Sequence, residues 1–123
     1  MAKKAIPAKV KAALFARDSH CKCCGTWDAN HAGHVVAERN GGQAILENLV
    51  RMCETCNTSL GGFDAEFASY AHYTESRATI ETNRAKWLTY VAMLRKYHTS
   101  QKNLDNGLTK RNPYKKPRPF EAV

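Results

Sequence analysis

The sequence predicts an α+β fold in which a small cysteine-bound core is flanked by an N-terminal helix and by added C-terminal helices. Three observations lead there. Two Cys-x-x-Cys hooks, Cys21 with Cys24 and Cys53 with Cys56, close the ends of residues 21–57. Between them, two short apolar runs flank a Gly41-Gly42 turn, where glycines supply positive φ at low steric cost. Outside them, apolar residues recur at helical spacing.

At 123 residues the chain is one domain with an extended end. Its parts divide as residues 1–62 (core with N-terminal helix), 63–100 (helical extension) and 101–123 (basic, extended tail). A formal charge of +8 and a pI near 9.4 favour a polyanionic partner, nucleic acid first. The plain alternative is a basic protein kept soluble by lysine. No apolar run approaches the length of a membrane span, and no signal-peptide pattern is present, so no membrane partner is expected. Met1-Ala2-Lys3-Lys4 leads directly into helix-like sequence. Five cysteines in metal-type spacing, without a secretory signal, point to a reducing intracellular compartment, with bacterial or phage-infected cytoplasm the first expectation.

Four thiolates in two pairs are a usual means of building a structural tetrahedral Zn2+ site. Unrelated core cysteines, or disulfides, would be the alternative. In Cys21-Lys22-Cys23-Cys24-Gly25 the first hook is either Cys21/Cys24 or Cys21/Cys23. The glycine after Cys24 favours the former, because it lets backbone N–H groups turn toward sulfur. Cys23 is then a bystander. His20 is not needed as a ligand and is expected at the surface.

What lies inside the loop bears on chemistry. Gly33-His34-Val35-Val36, Glu47-Asn48-Leu49 and Cys53-Glu54-Thr55-Cys56-Asn57 stand in one order, with both hooks around them. Over roughly residues 6–70 the chain resembles the HNH endonuclease family in its zinc-containing ββα-metal form. The resemblance implies a ββα-metal core, a β-hairpin followed by a helix. It also implies a general base at His34, a loop-holding asparagine at Asn48, and a catalytic divalent-metal ligand at Asn57. The residue before the base is usually an Asp or His metal ligand. Here it is Gly33, a Gly-His pair that some subfamilies share. His31 is the candidate replacement, since side chains two apart on a strand share a face. It could equally be a solvated turn residue.

Taken in order, Ile6 to Arg17 reads as a short amphipathic helix with Pro7 in its first turn. Trp27 is expected to cap a small core. Ala32 to Ala37 is the first strand and Ala44-Ile45-Leu46 the return strand, with Glu38 and Arg39 flanking the site and Glu38 more suited to an ion pair than to the metal. Asn48 can bridge backbone groups across the loop with its amide. Leu49, Val50 and Met52 face the core. Cys53 to about Leu60 is a helix stopped by Gly61-Gly62, with Cys53, Cys56 and Asn57 on one side. Phe63, Phe67, Tyr70 and Ala71 repeat at helical spacing, and Ile80, Trp87, Leu88, Val91 and Leu94 do so over roughly 78–98. These stripes are core or dimer contacts; His72, Tyr73 and His98 are left as structure on these helices. From Lys110 to Phe120 three prolines exclude a helix. Lys110, Arg111, Lys115, Lys116 and Arg118 could follow a phosphate backbone, or merely solubilise.

The chemistry the resemblance implies is hydrolysis of DNA. His34 takes a proton from water, and Mg2+ or Mn2+ (with Ni2+ or Co2+ tolerated) is bound by Asn57, with His31 as the candidate to complete its shell. The rival readings are a zinc-knuckle DNA- or RNA-binding module that lost its metal ligand at Gly33, and a subunit of a larger phage or restriction assembly. Because one site cuts one strand at a time, double-strand cleavage would call for a homodimer or sequential nicking.

Overall fold

The computed structural model describes residues 6–123, so the Met1–Lys4 lead-in lies outside the described residues. Seven elements follow in order: α1 (Ala8–Arg17), β1 (His31–His34), β2 (Leu49–Met52), α2 (Glu54–Leu60), β3 (Phe67–Ser69), α3 (Arg77–Asp105) and β4 (Phe120–Glu121). Single 3-10 turns at Glu38–Asn40 and Leu46–Asn48 shape the β1–β2 loop.

Pro7 stands at the N-cap of α1, one position before the first turn. The helix buries Leu14 and closes on β2 and its loop through Arg17, whose guanidinium donates to the Leu49 carbonyl at 2.6 Å and to the Leu46 carbonyl at 3.0 Å. Asp18 takes the same guanidinium at 2.9 and 3.0 Å and the Arg51 N–H at 3.2 Å, which joins α1 to the hairpin.

β1 and β2 pair antiparallel, His31 opposite Met52 and His34 opposite Leu49. The hairpin is thus shifted from expectation. β1 stops at His34 instead of Ala37, and the return strand is Leu49–Met52 instead of Ala44-Ile45-Leu46, where Ile45 is exposed. The cause is Asn48. Its side-chain amide accepts from the Val36 N–H and donates to the Val36 carbonyl, occupying the groups a longer strand would pair. Leu49, Val50 and Met52 are buried, as their pattern required.

Two further expectations fail. Residues 63–71 are not helical: Ala65 N–H donates to the Val35 carbonyl, Glu66 N–H to the Tyr90 hydroxyl, and Phe67–Ser69 form β3. The four-residue spacing arises because Phe67 stacks on Trp87, at 5.5 Å between centroids, while Ala71 closes on the first hook through the Lys22 carbonyl. His72 and Tyr73 accordingly lie in coil. α3 is longer than its apolar stripe. Ser76 caps its start by accepting from Thr79 N–H, and Gly107, at φ 73°, ends it.

Nor is the tail a free arm. Phe120 pairs in parallel with Phe67 and is buried among Phe67, Trp87 and Tyr90, and Pro117 is buried as well. Val123 N–H donates to Asn83 Oδ1 at 2.8 Å; Asn83, buried on α3, in turn donates to the Cys24 carbonyl at 3.4 Å. An aromatic residue at the end of a basic stretch outweighs the extended character of its prolines, because burying it removes some 150–250 Å² of surface from water. The resulting core runs from the cysteines through Met52 and Leu60 to Trp87, Val91, Leu94 and Phe120. Among the described residues no helix is long and apolar enough to cross a membrane.

Candidate metal centre and cleft

The two hooks converge. The sulfurs of Cys21, Cys24, Cys53 and Cys56 all lie within 4.8 Å of one another and are buried. Cys24 Sγ and Cys53 Sγ are 3.8 Å apart. A tetrahedral ion with bonds of about 2.3 Å sets its sulfurs about 3.8 Å apart, so the cage fits zinc. Gly25 makes the first hook possible. It sits at φ 86°, its N–H donates to the Cys21 carbonyl at 2.9 Å, and any Cβ there would strike the His72 carbonyl oxygen. Cys53 caps α2 and accepts from Cys56 N–H at 3.4 Å, so the second hook is a helix start.

Charge in the cage follows from this crowding. Hydrogen bonds from Cys23, Cys24, Cys53 and Cys56 hold the Cys21 thiol far below its ordinary range, while hydrogen bonding to Cys21, Cys53 and Cys56 pushes Cys24 far above it. Four sulfurs this close ionise together only around a cation. Cys23 is buried but stands outside the four, and burial pushes its thiol up, as suits a neutral core residue. His20 is also buried, not at the surface. It bonds to Ser19 Oγ at 2.7 Å and to the Ala71 carbonyl at 2.9 Å, because the segment around Ala71 folds over the first hook. Trp27, expected as a core cap, is 63% exposed and meets Tyr73 edge-on at 5.4 Å.

Beside the cage, α2 lies against the hairpin. Asn57, one position beyond Cys56, donates from Nδ2 to His31 Nδ1 at 3.1 Å. A Cβ built on Gly33 would stand 3.1 Å from Asn57 Oδ1 and overlap the Met52 sulfur. His31, Gly33 and Asn57 therefore share one face. His34, one residue on, belongs by strand alternation to the other face, at the mouth of the loop. It is half-buried, and among the described residues its ring makes no hydrogen bond and none joins it to Asn57. Asn48 anchors that loop three ways: to both Val36 backbone groups at 2.9 and 3.1 Å, and to the Gln43 carbonyl at 3.0 Å. Asp64 adds two further ties, accepting from Ala37 N–H at 2.7 Å and from Asn40 at 3.0 Å.

The basic tail residues Lys110, Arg111, Lys115 and Arg118 are exposed and in no ion pair among the described residues, while Lys116, also exposed, is tied to Glu66 at 2.6 Å. Arg84 escaped the sequence reading. Its Nη2 lies 3.8 Å from Cys53 Sγ and its buried Nε has no partner among the described residues. Burial opposes its charge, yet the bond to the Cys53 sulfur holds its pKa above the ordinary arginine range. A basic residue among apolar helix positions, far from the hooks in sequence, carries no local signal of this role.

Residues 21–62 match the HNH endonuclease family. No curated protein and no solved structure matches the chain. Both cysteine hooks, the hairpin and the following helix lie inside the matched span, so residues 21–62, about a third of the chain, are an HNH endonuclease domain.

Proposed function

We propose that the domain hydrolyses DNA phosphodiester bonds with His34 as general base and one divalent cation held at Asn57 and His31. The observation that carries this reading is the meeting of His31 and Asn57 beside a loop fixed by Asn48. Turning the Asn57 amide over would bring Oδ1, in place of Nδ2, to the 3.1 Å now separating it from His31 Nδ1. Adjacent ligands of an octahedral ion with bonds of about 2.1 Å are about 3.0 Å apart, so these two groups suit Mg2+ or Mn2+, with Ni2+ or Co2+ tolerated by the imidazole. Such a cation would neutralise the scissile phosphate and stabilise the departing oxygen. His34, the last residue of β1, would have to reach round the strand end to the face of His31 and Asn57 to take the proton of the attacking water; among the described residues no hydrogen bond ties its ring, which leaves its nitrogens available for that. Asn48 holds the loop so that His34 keeps its place; it is a positioning residue. Zn2+ fills the four-cysteine cage and stays structural, because a closed tetrahedral shell leaves no position for substrate.

One observation favours a second reading, a nucleic-acid-binding module without catalysis. The Met52 sulfur occupies the space a ligand side chain at Gly33 would need. Supercoiled plasmid decides between them. A nuclease converts it to nicked or linear form with Mg2+ or Mn2+, stops with EDTA and loses the activity in His34→Ala. A protein that only retards the plasmid, with wild type and variant alike, is the binding module.

A further inference from the structure

Phe63, just after α2, carries two guanidiniums. Arg39 Cζ and Arg95 Cζ each stand 4.9 Å from its ring centroid, and His98 stacks on the same ring at 5.8 Å. Arg39 comes from the β1–β2 loop and Arg95 from α3, so the fold brings them together over a long sequence separation. Both are exposed, and among the described residues no carboxylate lies within salt-bridge distance of either. Arg95 Nη2 donates to the Ser59 carbonyl at 2.6 Å, which fixes the guanidinium and leaves its other donors outward. Arg39 makes no hydrogen bond to the described residues; its stem lies on Gly62, where a Cβ would come within 3.1 Å of Nε.

Each guanidinium stands 4.9 Å from the same centroid, so the two lie no more than twice that distance apart, and like charges that near repel each other. The arrangement is one that an anion relieves, and planar guanidiniums suit phosphate oxygens through paired N–H donors. Its position fits one kind of anion. Ser59 and Gly61 follow Asn57 on α2 and at its end, about 3 and 6 Å further along the helix axis. Arg39 sits in the loop that begins after His34 and is pinned by Asn48 and Asp64.

We infer that Arg39 and Arg95, braced by Phe63, form a clamp for one DNA backbone phosphate neighbouring the phosphodiester at His34 and Asn57. The inference rests on the DNA-cleaving reading but concerns binding alone. Phosphate oxygens replace water on both guanidiniums, and no bond is made or broken.

The test measures binding of a 20-base-pair duplex by fluorescence anisotropy over a range of salt, without Mg2+ or Mn2+. Each phosphate contact on a duplex contributes about 0.9 to the slope of log K against log salt. Arg39→Gln and Arg95→Gln should each lower the slope by about 0.9, and the double variant by no more than that, because one phosphate is shared. Arg39→Lys should keep the wild-type slope. Zinc content and melting temperature identify any variant that misfolds. Unchanged slopes in both Gln variants, a double variant that loses two contacts, or an Arg39→Lys slope equal to that of Arg39→Gln would overturn the clamp. A wild type that fails to bind the duplex would overturn the DNA reading with it, whereas a wild type that binds while the variants keep its slope removes the clamp alone.

Discussion

The Asn57 amide meets the His31 imidazole across α2 and β1, Nδ2 to Nδ1 at 3.1 Å. The contact lies beside Gly33, where a Cβ would stand 3.1 Å from Asn57 Oδ1, and His31 is proposed as the metal ligand that Gly33 does not supply. If His31 is that ligand, His31→Ala should raise the Mg2+ or Mn2+ concentration for half-maximal cleavage by on the order of ten- to a hundredfold. Zinc content should not move, because His31 is not one of the four cage residues. An unaltered metal titration would remove His31 from the metal's shell.

Asn48 makes three side-chain hydrogen bonds to the loop, and Asn48→Asp keeps only the one that it accepts. The bonds are exposed, so the loss should be modest, about 1–2 kcal/mol for Asn48→Ala in urea denaturation. Cleavage should suffer far more than stability, and hydrogen exchange at the Val36 amide should quicken. A variant with normal exchange and lost activity would make Asn48 a participant in chemistry instead of a positioning residue.

Asp18 is buried under Arg17 and the Arg51 N–H. Burial alone would raise its carboxyl pKa, but the Arg17 guanidinium and the Arg51 amide outweigh that and hold it below the ordinary value. A group with a depressed folded pKa stabilises fully above its unfolded pKa of about 3.9 and loses that contribution only as pH falls through the folded value. Asp18→Asn should therefore cost about 2 kcal/mol, the scale of a charged hydrogen bond, and the gap to wild type should stay level from pH 6 to 8. A gap that changes across that range would mean another group is titrating.

How much of this was legible beforehand varies with the range of the interactions. The hooks, the helix after Cys53 and the pairing of Cys21 with Cys24 are set by residues within a turn of each other, and spacing exposed them, with Gly25 deciding between Cys24 and Cys23. The strand limits were not, because they depend on the Asn48 amide capturing Val36 across the loop. The helix expected at 63–71 failed for a similar reason: Phe63, Phe67 and Ala71 each pack on a different partner brought from elsewhere, and the spacing is incidental. His20, Arg84 and the Arg39–Phe63–Arg95 group are made by contacts over long sequence separations, which no local pattern records.

Cysteine replacement separates the two ways of forming the first hook. Cys24→Ser should lower zinc content and unfold the core, since zinc binding to such cages is itself folding energy of about 10 kcal/mol or more. Cys23→Ala should keep one zinc per chain and lose only packing, about 1–2 kcal/mol for a small buried side chain. Zinc lost from Cys23→Ala and kept in Cys24→Ser would reverse the pairing.

The tail gives the last prediction. Four of its basic residues, Lys110, Arg111, Lys115 and Arg118, are exposed, while Phe120 is a core residue and Val123 is tied through Asn83 to the Cys24 carbonyl. Truncation before residue 108 would thus strip the aromatic core as well as the charge, and weakened DNA binding would say nothing about phosphate contacts. Replacing the four exposed residues by Gln leaves Phe120 in place. If they track a backbone, the salt slope of duplex binding should fall by about 0.9 for each phosphate lost, with the melting temperature unchanged. Phe120→Ala should do the reverse: a loss of about 3 kcal/mol from the cavity it opens, and a slope equal to wild type once the protein is folded. An unchanged slope in the four-residue variant would leave the charges as solubilising groups and place DNA binding on the core.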